Sequence, residues 1–166
     1  MNEKKTDGQG VNESLLGIIT GAAKKIGIVK QKRYHIVVTD QRIVFAEITK
    51  AMVKEDQKKL VEETKGKGFM ARMKIAMQAN QIAAERFENM SIEEILQMSS
   101  ENFAVHFSTV KKIKTPLGVR YDQNEQEMPK KVDIISEQGT HSLRFDTPKE
   151  SNHAYKLLKD AHKQSS

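Results

Sequence analysis

His35, His106, His141, His153 and His162 are the side chains of this sequence best suited to moving a proton or holding a metal near neutral pH. They are scattered along the chain and none sits in a metal or catalytic signature. His35 and His106 fall in strand-like runs, from which they could meet across a sheet. Half-buried strand histidines are what such isolated positions favour. Nucleophilic chemistry needs Ser, Thr or Cys beside a base that a third group orients. The chain has no Cys, which excludes thiolate nucleophiles, disulfides and Cys-based metal sites. It also lacks a Gly-x-Gly-x-x-Gly run and a P-loop; Lys65-Gly-Lys-Gly68 places two lysines in a turn with no strand before it. Glu62-Glu63 and Glu93-Glu94 are sequence neighbours on predicted helices, where adjacent side chains do not face one another, so neither is an acid/base couple. The expectation is a protein that is not an enzyme, with no catalytic, cofactor-binding or metal-ligating residues and no small-molecule substrate.

Charge points elsewhere. The net charge is +6, which favours anionic partners such as membrane surfaces, nucleic acid or acidic proteins. Two segments carry no acid. Ser14–Thr39 holds Lys24, Lys25, Lys30, Lys32 and Arg33, and Thr64–Ala84 holds Lys65, Lys67, Arg72 and Lys74 beside Phe69, Met70, Met73 and Met77. A basic amphipathic helix suits a membrane interface or a partner groove, and Met suits adaptable contact surfaces. Ile75 and Ile82, a heptad apart, lie on a different face of the same predicted helix, which suggests self-association. Two binding expectations follow. In the first, a protein partner or a second copy engages Phe69, Met70, Met73, Met77, Ile75 and Ile82. In the second, the nine cations hold the chain to an anionic membrane, each contributing about 1 kcal/mol near the surface. Nucleic acid is disfavoured, because no aromatic stacking platform or reading motif accompanies the charge.

These residues need elements to position them. Length fits one domain or one domain with an insertion, since the chain has 166 residues. Hydrophobic residues are 37% and charged residues 30%, a thin apolar supply that implies some solvated helix outside the core. Met1–Gly10 is polar and aperiodic, and the first 13 residues are expected to be a disordered lead-in. Leu15–Ala23 is far too short to span a bilayer; Glu13 before it and Gly17, Thr20 and Gly21 within it argue against a signal peptide, so a strand or turn and a cytoplasmic protein are expected. Tyr34, Ile36 and Val38 alternate with His35, Val37 and Thr39, and Ile43 and Phe45 with Val44 and Ala46, which predicts an antiparallel hairpin across Asp40-Gln41. Lys50–Thr64 is charge-laced, with Glu55/Lys59 and Lys58/Glu62 at helical spacing, and predicts an exposed helix. After Gly66 and Gly68, one helix is predicted from Phe69 to Asn89, sharing Phe69, Met70, Met73, Ala76, Met77, Ala84 and Phe87 on a broad face. Ser91-Ile-Glu-Glu94 is a capping box for a short helix to about Met98. Strands are predicted at Phe103–Phe107 and Val110–Lys114, a loop over Tyr121–Pro129, and a hairpin of Val132–Ser136 and His141–Phe145 around Gly139. Thr147-Pro-Lys-Glu150 caps a last helix whose Ala154, Leu157, Leu158 and Ala161 form a stripe that must lie on the sheet.

This order of elements resembles the pleckstrin-homology-like (PH-like) fold. Tyr34-His-Ile-Val-Val-Thr-Asp-Gln-Arg-Ile-Val-Phe45 looks like the "V-T-D-x-R-hydrophobic" hairpin of bacterial and archaeal PH-like domains. Asn102–Val110 is similar to their later "I-P-Y-S-x-I" strand, with His106 and Phe107 in place of Pro and Tyr, and Thr140–Ala161 fits their closing strand and helix. The resemblance covers about Ser14 to Ile48 and about Ile92 to His162. It implies an α+β fold: a seven-strand, partly open β-barrel or orthogonal sandwich closed by the C-terminal helix, in a single domain over residues 14–166 that a helical insertion interrupts at about 50–99. It also implies a recognition module or scaffold with no common chemistry. PH domains that bind phosphoinositide headgroups use a Lys and a following Lys/Arg-x-Arg at the first strand connection; here Lys30-Gln-Lys32 is followed directly by Arg33, which departs from that spacing.

Overall fold

The computed structural model describes residues 13–77, 79–115 and 130–166, and the side chains of 76, 77, 79 and 80 fall outside that description. The lead-in up to residue 12 and the Tyr121–Pro129 loop therefore lie outside the described residues. Among them the elements run β1 (Leu15–Ile26), β2 (Lys30–Thr39), β3 (Arg42–Glu47), α1 (Lys50–Thr64), α2 (Phe69–Met77), α3 (Ala79–Glu88), α4 (Ile92–Gln97), β4 (Phe103–His106), a 3-10 turn (Phe107–Thr109), β5 (Val110–Lys114), β6 (Lys131–Ser136), β7 (Gly139–Arg144) and α5 (Pro148–Ser165). The strands form one antiparallel, unclosed sheet in the order β4-β3-β2-β1-β7-β6-β5.

β1 joins the two halves of this sheet. Its pairing with β2 slips between Ile19 and Ala22, around Gly21 at φ +68°, a left-handed conformation that a side chain would strain. Past the slip, Ala23 and Lys24 also pair with Arg144 and Leu143 of β7. The β2–β3 turn closes at Asp40-Gln41 because Thr39 Oγ1 accepts hydrogen bonds from the backbone N–H groups of Gln41 (3.2 Å) and Arg42 (3.0 Å). A hydroxyl that mimics a backbone turn explains how a pair other than Asn-Gly serves here.

Both faces of the β2–β3 ribbon are buried. On one face Tyr34, Ile36, Val38, Ile43 and Phe45 meet Val132, Ile134, Leu143 and the α5 stripe of Ala154, Leu158 and Ala161. Phe45 stacks on Phe103 with centroids 4.4 Å apart, and Tyr34 is edge-on to both at 6.0 Å. α5 begins at a complete Thr147/Glu150 capping box. On the other face Val37, Val44 and Ala46 meet Met52 of α1, Phe87 of α3 and Ile95 of α4. The helices between β3 and β4 are thus the second layer over that half of the sheet.

The helix expected over Phe69–Asn89 is helical in the described residues on both sides of position 78, as α2 and α3. Its expected common face is divided: Phe87 is buried on the sheet, whereas Phe69, Met70 and Met73 are exposed. α3 turns Ala83 and Phe87, one helical turn apart, inward, and α2 turns Ile75 inward. Of the two isoleucines expected in an interface, Ile75 is buried and Ile82 is half-buried. The short helix expected after Ser91 is α4, with both hydrogen bonds of its capping box formed.

Candidate functional site

The chemistry-bearing side chains are kept apart. His35 lies opposite Ala46 in the β2–β3 register and His106 lies opposite Arg42 in the β3–β4 register, so the two do not meet. His35 is buried; its Nδ1 accepts the Gly21 N–H at 3.4 Å and its ring lies 5.6 Å from that of Phe87. Burial, and then the nearby Arg86 charge, push its pKa down to about 4. His141 lies beside the stacked Phe45 and Phe103 rings, 5.5 and 5.6 Å from them, its two ring nitrogens without a hydrogen-bond partner among the described residues, and burial followed by the Lys24 charge lowers its pKa as well. His162 Nε2 lies 3.0 Å from the Val110 carbonyl oxygen. His153 is exposed on α5. Among the described residues no group of three or more His, Cys, Asp or Glu could hold a metal ion.

The paired glutamates diverge. Glu94 completes the α4 cap, and its hydrogen bonds from Ser91 hold its carboxyl below the usual range. Glu93 reaches Arg42 at 3.2 Å. Arg42 also forms a fork with Glu13, Nε–Oε1 2.9 Å and Nη2–Oε2 2.6 Å, and Thr39 donates to Glu13 at 2.6 Å. Burial opposes the Glu13 charge, but these hydrogen bonds and the guanidinium outweigh it and keep the carboxyl below its ordinary value. The network floors a cleft of about 640 Å³ walled by Leu15, Val37, Phe87, Met90 and Ile92. A carboxylate locked as an anion by a bidentate arginine is a clasp between the chain start and the β2–β3 turn rather than a proton acceptor.

The basic segment Lys24–Arg33 is a strand-turn-strand. β1 and β2 run on as a two-stranded ribbon beyond their neighbours: the last β2–β3 pair is Tyr34 with Glu47, β7 reaches only Ala23 and Lys24, and Lys25–Gln31 and Ile26–Lys30 have no outer strand partner among the described residues. Gly27 at φ +66° lets three residues close it. At its tip Ile28 and Val29 are each 89% exposed. Of the five cations expected to meet an anionic surface, Lys32 is bonded to Glu47 (3.2 Å) and Glu101 (2.9 Å), Arg33 to Asp146 (3.4 Å), and Lys24 lies 5.2 Å over the Phe103 ring. Lys25 and Lys30 are exposed and form no ion pair among the described residues.

The second basic segment is the turn Lys65–Gly68 and α2. Lys65, Lys67, Arg72 and Lys74 are all exposed, and Arg72 Nε donates to the Lys67 carbonyl at 3.0 Å. Phe69 and Met70 are each 78% exposed and Met73 is 50% exposed. Charge alone led to both segments but missed Ile28 and Val29. The signal was present: an Ile-Gly-Ile-Val run between lysines places large apolar residues on a glycine turn, where polar ones are usual.

No family model matches the chain, and no curated protein matches it. Among solved structures, the C-terminal domain of an unknown protein from Leishmania infantum is similar to 90% of this chain over 84% of its own length, with 10% identity and a TM-score of 0.45. A likeness at that level fixes neither family nor function.

Proposed function

We propose that the chain is a PH-like, non-enzymatic module that attaches peripherally to anionic membrane surfaces through the β1–β2 hairpin. The PH-like assignment is supported by the strand order, by a bulged first strand shared between the two halves of the sheet and by the capped helix lying on its inner face. The observation that carries the membrane reading is the exposure of Ile28 and Val29 at the tip of a projecting ribbon. Burying one such side chain in an apolar phase is favourable by about 1.5–3 kcal/mol, and nothing within the described fold supplies that phase. Lys25 and Lys30 stand beside the tip at the height of the lipid headgroups, where each adds attraction to anionic lipid. No helix among the described residues is long and apolar enough to cross a membrane, so attachment on this reading is superficial. The anionic leaflet faces the cytoplasm, which is the location the reading implies. Docking of a protein or a second copy on the insertion ranks second, because Ile75 is withdrawn from that face and four cations surround what remains.

Co-sedimentation tests the reading. The protein should pellet with phosphatidylcholine vesicles containing phosphatidylserine, less with phosphatidylcholine alone, and less as salt rises. Ile28→Asp with Val29→Asp should make it pellet markedly less than the wild type while its thermal midpoint stays unchanged, since both side chains are in water. Undiminished pelleting of that variant overturns the proposal.

A further inference from the structure

We infer that the outward face of α2 is a second, separate bilayer contact for the same anionic lipid. The inference rests on the hairpin reading only in sharing that lipid. At 3.6 residues per turn Phe69, Met73 and Met70 fall within one arc of about 100°. Arg72 and Lys74 flank the arc on its two sides, and Lys65 and Lys67 precede it in the turn. Ile75 points the opposite way and is 8% exposed, so α2 is already seated on the molecule by its other side. The Phe-Met face is therefore not a surface waiting to fold back on the body.

Charge selects its occupant. No acid occurs from Lys65 through Ala84. A second copy docked face to face would set these four cations against another four, and α2 carries no carboxylate of its own to offset them, so like charge opposes a symmetric dimer. A bilayer surface rich in phosphatidylserine offers the opposite sign, together with an apolar layer at the depth that Phe and Met side chains reach from a helix lying in the interface. Methionine is unbranched and flexible, and so fits a fluid layer.

The chain contains no Trp, so a single Trp reports on one site alone. Phe69→Trp and Ile28→Trp are made separately, at positions whose side chains are in water. With phosphatidylserine vesicles carrying brominated phosphatidylcholine, Trp at position 69 should shift to the blue and be quenched. Phe69→Ser, Met70→Ser and Met73→Ser together should lower the partition coefficient at least about tenfold, the scale of one large apolar side chain lost from an apolar phase. A response at position 28 with none at 69 overturns the α2 contact and leaves the hairpin standing. A response at 69 with none at 28 supports α2 and overturns the hairpin. A blue shift at 69 that grows with protein concentration without vesicles assigns the face to a second copy and overturns the inference.

Discussion

His35 is held neutral by its surroundings, and that neutrality has a cost as pH falls. Its folded pKa, pushed down to about 4 first by burial and then by Arg86, lies below the 6.5 of a free histidine. The unfolded chain therefore binds this proton first. Stability is complete above about pH 6.5, declines as pH falls through the window to about 4, and by then has lost about 3 kcal/mol. His141, lowered in the same direction, adds to the same decline. Urea unfolding of wild type and of His35→Gln across this window should show a shallower pH slope in the variant; equal slopes would mean that His35 titrates normally. Gln keeps an acceptor for the Gly21 N–H, which separates titration from the lost hydrogen bond. Little of this was legible in the sequence. The isolation of His35 from other histidines could be read, but Gly21, Arg86 and Phe87 come to it only through a bulge and an inserted helix. The Arg42–Glu13 clasp was hidden for the same reason, its partners being 29 residues apart.

Elements with local instructions were the legible ones. The capping boxes of α4 and α5 and the Glu55–Lys59 pair of α1, observed at 3.4 Å, are all written within four residues. The hairpin over Asp40-Gln41 was legible by alternation, although the hydroxyl of Thr39 that makes the turn was not. The split in burial between Phe69 and Met73, exposed, and Phe87, buried, was illegible because the three fit one apolar arc equally well whether that arc meets protein or water. β1 is the element whose shape depends most on one backbone conformation. A Cβ at Gly21 would touch nothing within 4 Å, so any cost of adding one is conformational rather than steric. Holding a non-glycine residue in the left-handed region costs about 1–2 kcal/mol. Gly21→Ala should therefore lower the unfolding free energy by that amount, read as a lower urea midpoint with an unchanged slope. An unaltered midpoint would show that β1 can bend without a left-handed residue.

At the scale of the molecule, the division between a scaffold and a functional insertion does not follow the chain order. Every residue from Tyr34 to Thr39 and from Ile43 to Ala46 is buried, which an antiparallel ribbon achieves only with a layer on each face. The unbroken apolar content of Ile36-Val-Val38 and Ile43-Val-Phe-Ala46 carried this information, because a sheet with one wet face would place polar residues at Val37 and Val44. α5 covers one face, and Met52, Phe87 and Ile95 of the insertion cover the other. The insertion is therefore split in role: α3, α4 and the start of α1 close the core, and the outward face of α2 is left in water. If that is right, truncating a side chain in either layer should destabilise the whole fold alike. Phe87 and Leu158 are both almost wholly buried, and Phe87→Ala should cost about 3–5 kcal/mol and Leu158→Ala about 2–5 kcal/mol. Each should appear as one cooperative transition at lower urea. An insertion that merely leaned on the sheet would give a different pattern, with Phe87→Ala adding a separate early transition for the helices while the strands unfolded at the wild-type midpoint.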